Sequence, residues 1–384
     1  MPKTSQTIYL DYAAATPMDG RVLNAMKPYF ADNFYNPSAT YMAGRNVRKD
    51  LDEARSKIAH WLGARPSEII FTAGGTEANN TAIHGVMQNH PKANLVISAI
   101  EHDSVLEPAG EYDCRIAKVS KQGRIDLNDL ASKIDDQTVL ICVMQANNEI
   151  GTIQPIKEIS ELIHKIRNQR LKKGNKLPLL LHSDSAQAAN YLDVHVARLG
   201  VDLLSINGGK IYGPKQSGVL YVKGGISLKP NILGGSQEQG LRSGTQNVPA
   251  AIGLATALDI AQNKRNHETK RLQQIQKFFI DELLKNVPNV VINGSHKTRL
   301  PNNVHITVPG IDNETLLIQL DEAGVMAAAG SACSASSEEP SKVLKAIGLS
   351  KADIQSSIRF TMGRQTTELE IKKTLQILLG LVTR

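Results

Sequence analysis

The chain has 384 residues, 41% of them hydrophobic and 21% charged, with a net charge of +7. This composition excludes a disordered chain, a collagen-like repeat and a long coiled coil, and the length implies two or three domains with a core large enough to hold a pocket. No apolar run approaches the roughly 18–20 residues that span a bilayer, and Met1–Pro17 lacks the basic-then-apolar order of a secretory signal, so no membrane association is expected.

Arg45–Leu62 places apolar residues at Val47, Leu51, Ala54, Ile58 and Trp61, the spacing of one helix face, and Gly63 follows as a stop. Ile69–Thr72 is a short apolar run, and a helix is expected from Thr76 to about Asn89. Leu95–Ile100 is a second run, followed by a helix from Ser104, and Val139–Met144 is a third. Pro155–Arg170 reads as an amphipathic helix with proline at its first position. Leu177–Leu181 and Asp202–Ile206 are the fourth and fifth runs. Short apolar runs alternating with helices predict βα units and a parallel or mixed sheet buried on both faces. From about Thr256 the texture changes. A long polar helix to about Lys285 leads into short runs at Val290–Asn293, Asn303–Val308 and Ser357–Thr361, with helices near Asn313–Ala323 and over Thr367–Val382. This part reads as a second, smaller α+β domain.

The basic clusters, Arg170-Leu171-Lys172-Lys173 and Lys264-Arg265 with Lys270-Arg271, are short, and aromatic residues make up only 4% of the chain. A nucleic-acid surface wants a longer basic stripe and stacking rings, so no direct nucleic-acid partner is expected, and small anionic ligands suit the charge better. The three cysteines, Cys114, Cys142 and Cys333, form no CxxC pair and are odd in number. That excludes a disulfide framework or a four-cysteine zinc site and points to a reducing, cytoplasmic setting.

In open α/β sheets ligands bind just beyond the carboxyl ends of the strands. The residues after the five runs are Ala73-Gly74-Gly75-Thr76, Glu101-His102, Gln145-Ala146-Asn147-Asn148-Glu149, His182 to Gln187, and Asn207-Gly208-Gly209-Lys210. Gly74-Gly75-Thr76 at a helix start offers bare N–H groups, a hydroxyl and the positive end of the helix dipole, which suits a phosphate. Lys210, behind two glycines and an apolar strand, suits an amine that attacks a carbonyl. Gly208-Gly209-Lys210 is no Walker loop, because Ile211 replaces the Ser or Thr that follows the lysine. Asp184 at the end of a buried run wants a cationic partner, and a protonated pyridine nitrogen is one. His102 is flat enough to stack on a ring. A phosphate cradle, an imine-forming lysine and a strand-end aspartate together specify pyridoxal phosphate.

With those residues in place, the sequence resembles the cysteine desulfurases, within the class V aminotransferase group of the fold-type I pyridoxal-phosphate enzymes. The landmarks run nearly end to end: Tyr9-Leu10-Asp11-Tyr12-Ala13, Asn36-Pro37-Ser38, Thr72 to Glu77, Glu101-His102, Asn147 to Gly151, Asp184 with Gln187, Lys210 to Lys215, Arg242-Ser243-Gly244-Thr245, Gly330 to Cys333, and Ser357-Ile358-Arg359-Phe360. The resemblance implies an α/β fold with a large cofactor domain over 15–255, its mostly parallel sheet between helices. A smaller α+β domain, made of 1–14 and 256–384, would carry the catalytic-cysteine loop.

The resemblance also implies roles. Lys210 would hold the cofactor aldehyde and move the α-proton, Asp184 would pair with the ring nitrogen, Gln187 would bond the ring hydroxyl, and His102 would stack over the ring. Gly75 and Thr76 would hold the phosphate, and Thr245 would reach it from the other subunit of a homodimer. Asn147 and Arg359 would grip the substrate carboxylate, with Asn147 also in the cofactor set. Cys333, in the small, polar stretch Gly330 to Ser337, would attack the sulfur of L-cysteine and become a persulfide, leaving alanine. The loop, continuing to Glu338-Glu339-Pro340-Ser341, resembles the branch serving iron–sulfur assembly, so an iron–sulfur scaffold or sulfur-relay protein is the implied acceptor. Selenocysteine lyase or another class V activity, and a non-catalytic partner protein on the same fold, are the alternatives. Cys142 reads as a buried small hydrophobe. The sequence departs from the family where histidine usually precedes the lysine. Gly209 stands there, Asn207 is the nearby polar residue that compensates in part, and weaker cofactor binding is expected. The chain also stops soon after Val382, short of the tail that resembling proteins use to dock a scaffold.

Overall fold

The computed structural model describes residues 7–330 and 340–382. The chain enters through a short strand, β1 (Ile8–Tyr9), and two short helices, α1 (Gly20–Met26) and α2 (Pro28–Ala31). In α3 (Met42–Leu62), Val47, Leu51, Ala54, Ile58 and Leu62 recur every three or four residues and are buried. Gly63 ends it at φ +62°, a left-handed turn that lets its N–H bond back to the last helical carbonyls.

Seven strands form the main sheet: β2 (Ile69–Thr72), β3 (Asn94–Ser98), β4 (Asp113–Ala117), β5 (Thr138–Cys142), β6 (Leu180–Asp184), β7 (Leu203–Asn207) and β8 (Gly218–Val222). Their order is β2-β8-β7-β6-β5-β3-β4. Every residue of β3, β5 and β8 is buried, the mark of a sheet covered on both faces. The cover comes from α3 and from α4 (Gly75–Met87), α5 (Asp103–Ala109), α6 (Leu127–Lys133), α7 (Ile156–Lys172) and α8 (Val196–Leu199). All neighbours run parallel except at β8, which is antiparallel to both β2 and β7. The short return from β7 to β8 has no crossover helix, and an antiparallel pairing is the one that such a connection permits.

Three expectations need correction. The fourth apolar run becomes strand only from Leu180, so Asp184 is the last residue of β6 rather than a residue beyond it. β4 and β8 are additional strands that the alternation did not single out. The long helix, α9 (Val248–Asn286), begins well before Thr256. Asn247 caps it by accepting from Ala250 N (3.1 Å), and Pro249 sits in the first turn, where a missing N–H is harmless.

Beyond α9, β9 (Val291–Ile292), β10 (Asn303–Thr307), β11 (Val325–Met326) and β12 (Ser357–Thr361) are joined by α10 (Asn313–Glu322), α11 (Lys342–Ala346) and α12 (Lys351–Gln355), and α13 (Glu368–Val382) closes the chain. The sheet order is β12-β10-β9, all antiparallel, while β1 pairs parallel with β11. One apolar core lies between α3, the main sheet and the first half of α9, with Leu254 and Leu258 in it. A second lies under the small sheet and takes Leu272, Phe279 and Leu283 from the second half of α9. The division expected at 255/256 thus falls inside a continuous helix. Among the described residues no helix is long and apolar enough to cross a membrane.

Phe279 is fully buried, its ring edge-on to Phe360 with centroids 5.3 Å apart. Phe279→Ala is expected to cost about 3–5 kcal/mol of stability, read as a lower denaturant midpoint, whereas truncating the exposed Leu369 changes it by less than about 0.5 kcal/mol.

Candidate active site

The C-terminal edge of the main sheet gathers the chemistry. β2 leads through Ala73 and Gly74 into α4, and Gly74 takes φ +145°, backbone that a side chain would strain. The first intrahelical bond of α4 runs from Ala78 N to Gly74 O (3.1 Å). The N–H groups of Gly75, Thr76 and Glu77 therefore stand outside the helical ladder at the positive end of the dipole. A Cβ at Gly75 would lie 3.3 Å from the Asn207 Cβ, so the end of β7 is pressed against this helix start.

Asp184 forms the floor. Its Oδ2 accepts from Asn79 Nδ2 (2.7 Å) and its Oδ1 from Ala186 N (2.8 Å). Two buried titratable groups flank it. Burial pushes the His182 imidazole well below its usual range, partly opposed by the negative charge of Asp184, and its Nε2 lies 3.0 Å from Ser205 Oγ. Burial pushes the Glu101 carboxyl well above its usual range, and the Asp184 charge adds to the push, although Oε1 accepts the Met144 N–H (2.8 Å). Both shifts favour the uncharged form of the group beside Asp184.

Lys210 ends the 3₁₀ turn Gly208–Lys210 that follows β7. Its Nζ donates to Ala13 O (2.8 Å) and Ala14 O (2.6 Å), so the N-terminal segment holds the amine in the cleft. Gln187 Nε2 donates to the same Ala13 carbonyl (3.0 Å). His102 caps α5, with Nδ1 accepting from Ser104 N (3.1 Å). Asn207 Oδ1 accepts from Gly209 N (3.0 Å).

Arg359, in the middle of β12, is 1% exposed. Its Nη2 donates to Asp11 Oδ1 (2.7 Å) and its Nη1 to Asn148 O (3.0 Å), while Nε is buried without a hydrogen-bond partner among the described residues. An unsatisfied donor on a buried cation beside an open cleft suits an anionic substrate group. Across the strand pair, His305 faces Arg359 in register. Burial, helped by the positive charges of Arg299 and Arg359, lowers its pKa to about 3.

One cleft thus brings together Gly75, Thr76, His102, Asp184, Gln187, Asn207, Lys210 and Arg359, around about 580 Å³ of space with its mouth included. Bare helix-terminal donors at one side, a buried carboxylate on the floor and a lysine amine opposite fit pyridoxal phosphate. Two expected residues, Asn147 and Thr245, are not in the cleft. Asn147 is fully buried: its Oδ1 accepts from the N–H groups of Glu149 and Ile150 (2.9 Å each), and its Nδ2 donates to Ile100 O (3.0 Å). The amide is spent on shaping the loop, and the neighbouring Asn148 lines the cleft instead. Thr245 is exposed and outside the cleft of its own chain. Cys333 lies outside the described residues. Cys142 is fully buried, and burial pushes its thiol well above the usual range; Cys114 is half-buried and pushed up to about 11.

Sequence reasoning missed Asn79, Asp11 and the carbonyls of Ala13 and Ala14. Asn79 carried a signal, a polar side chain one turn into a helix that begins at a phosphate-type turn. Asp11 stood in a landmark with no chemistry attached, and the two carbonyls have no side-chain signature. Among the described residues no group of three or more His, Cys, Asp or Glu could hold a metal.

Comparison with known proteins agrees with this geometry. The family model described as aminotransferase class-V matches residues 8–374. The cysteine desulfurase IscS of Dictyoglomus turgidum is 41% identical over 378 residues, covering 97% of this chain and 93% of its own. The cysteine desulfurase IscS 1 of Archaeoglobus fulgidus is 40% identical, covering 98% and 97%. A solved structure titled NifS-like protein superposes with a TM-score of 0.89 at 29% identity, covering 98% of this chain and all of its own.

Two outcomes follow. A Cβ at Gly209 would meet nothing closer than Asn207 Oδ1 at 3.4 Å, so there is room for a side chain. Gly209→His is expected to tighten pyridoxal phosphate about tenfold in a titration of apoprotein, the worth of one charge-assisted hydrogen bond, and unchanged affinity would sink the idea. His305, neutral in the fold, gains a proton in the unfolded chain once the pH drops below 6.5, which favours unfolding. Stability should therefore fall between pH 6.5 and about 3, and His305→Gln should flatten that part of the unfolding midpoint against pH.

Proposed function

The chain belongs to the class-V aminotransferase family and, within it, to the cysteine desulfurases, and we propose that its cleft removes sulfur from L-cysteine, giving L-alanine and a persulfide on Cys333 that passes to a protein acceptor. The observation that carries this reading is the convergence of Lys210, Asp184 and Arg359 on one cleft beside the open N-terminus of α4.

When bound, pyridoxal phosphate supplies a carbonyl for amines and a ring that withdraws electrons. Gly75 and Thr76 hold the phosphate with helix-terminal donors, and Asn207 lies against them. Asp184, held by Asn79 and the Ala186 N–H, would pair with the ring nitrogen and favour its protonated form. His102 would stack on the ring and Gln187 would donate to the ring hydroxyl. Lys210 holds the cofactor and then moves the proton at the substrate α-carbon, trading its bonds to Ala13 and Ala14 for that work. Arg359 binds the substrate carboxylate through its unpartnered Nε edge. The Cys333 thiolate attacks the substrate sulfur. A sulfur–sulfur bond forms as the carbon–sulfur bond breaks, and its electron pair, with a proton, completes the methyl group of alanine. Cysteine and an enzyme thiol go in; alanine and an enzyme persulfide come out.

We infer a homodimer in which Thr245, exposed and outside the cleft of its own chain, would complete the phosphate site of a second copy. An iron–sulfur scaffold or a sulfur-relay protein in the cytoplasm is the acceptor this reading calls for.

Sulfide release from cysteine in the presence of a reductant tests the assignment. Lys210→Ala and Cys333→Ala should each lose at least about 10²-fold in turnover, and Arg359→Lys should mainly raise KM because lysine cannot reproduce the two-pronged bond. Equal activity in wild type, Lys210→Ala and Cys333→Ala overturns the reading.

A further inference from the structure

We propose that Arg55 is a positioning residue: through Glu238 it holds the segment from Ser236 to Thr245 in a strained backbone that presents Thr245 to the cofactor phosphate of a second copy. The proposal rests on the homodimer reading above.

The strain is visible in three residues. Ser236 (φ +62°), Glu238 (φ +47°) and Gln239 (φ +59°) all take left-handed backbone, though none is glycine. A Cβ makes that conformation costly, and such a cluster persists only where the surroundings over-determine it. Here the surroundings are one fork. Arg55 projects from α3 and donates from Nη2 to Glu238 Oε1 and from Nη1 to Glu238 Oε2, both at 2.8 Å. Nη1 also donates to Ile69 O (2.6 Å), and the guanidinium lies 4.7 Å from the centre of the Phe71 ring. Glu238 Oε2 further accepts the Phe71 N–H (2.8 Å), so the carboxylate is fastened to β2, the edge strand of the main sheet, as well as to α3. The two side chains are 12% and 2% exposed, which makes this a buried, fully bonded pair rather than a solvated surface contact.

The other end of the segment is fastened separately. Arg242 Nε donates to Glu77 Oε1 (3.0 Å) in the first turn of α4, and Glu77 Oε2 accepts the Ala73 N–H (3.0 Å). Gln237, between the strained residues, accepts the Gly244 N–H through Oε1 (3.0 Å). Thr245 follows directly, exposed, and Asn247 caps α9 two residues later. The strained turn, the brace from Gln237 and the anchor at Arg242 together fix the backbone that carries Thr245, outside the cleft of its own chain. Arg55 makes no contact with that cleft, so its effect on the cofactor has to pass through the segment.

The test is a double-mutant cycle on the full chain, stripped of cofactor and titrated with pyridoxal phosphate while the absorbance of the bound form is read. Thr245→Ala is expected to weaken binding about tenfold, the loss of one hydrogen bond to a charged group. Arg55→Lys, which keeps the charge but loses the fork, should weaken binding by a similar factor, and the double variant should be no weaker than either single one. Glu238→Gln serves as a second probe of the same pair should Arg55→Lys fold poorly, and it should show the same non-additivity with Thr245→Ala. Losses that multiply would show Arg55 acting without Thr245 and would overturn the proposal. If Thr245→Ala alone leaves affinity unchanged, the cross-subunit reading fails first and this one with it.

Discussion

The buried cation of Arg359 is the constraint around which the two ends of the chain are organised. An unpaired guanidinium in that place would cost several kcal/mol, and removing one partner of such a pair costs about 3–5 kcal/mol. Asp11 neutralises it, which draws the N-terminal segment onto the small sheet. There Tyr12 N donates to Thr361 O (3.2 Å) and Ala13 N to Thr361 Oγ1 (2.9 Å). The carbonyls of Ala13 and Ala14, set by those contacts, hold Lys210 from the opposite sheet. The same guanidinium reaches Asn148 O in the loop after β5. One ion pair thus fixes the relation between Arg359, Lys210 and the loop after β5.

The strand-end rule was enough to assemble most of the cleft from the sequence. Thr76, His102, Asp184 and Lys210 each follow or end an apolar run, and the sheet brings those ends to one edge because the runs point the same way, β2 from across the antiparallel β8. The same rule failed at Asn147. Two adjacent asparagines follow β5, and sequence does not say which amide is spent on the turn. Here Asn147 bonds the N–H groups of Glu149 and Ile150, a local contact that short amide side chains make readily, and Asn148 is left for the cleft. The start of α9 lies before the change of texture at Thr256, and Pro249 in its first turn breaks nothing. The supports of Lys210 were illegible in principle, since a backbone carbonyl looks the same at every residue.

The cysteines divide by environment. Cys142 sits at the end of β5 with no exposed surface, where burial and the neighbouring Glu101 disfavour the thiolate. A thiol so placed is a packing element. Cys114 is only half-buried, but burial and Asp113 push it to about 11, so it too stays protonated near neutral pH. Sulfur chemistry at neutral pH needs a thiolate, and the two cysteines within the described residues are both set against one.

The continuity of α9 carries a consequence for motion. At 1.5 Å per residue its 39 residues span about 58 Å, and its two halves are embedded in the two apolar cores. Sharp bends in helices arise at proline, glycine or an inserted group, and from Leu254 to Asn286 the helix has neither proline nor glycine. Swinging one core against the other would have to flex this unbroken rod. The molecule is therefore built as a stiff frame, and substrate traffic falls to side chains and connecting segments at the rim rather than to a clamshell closing of its halves.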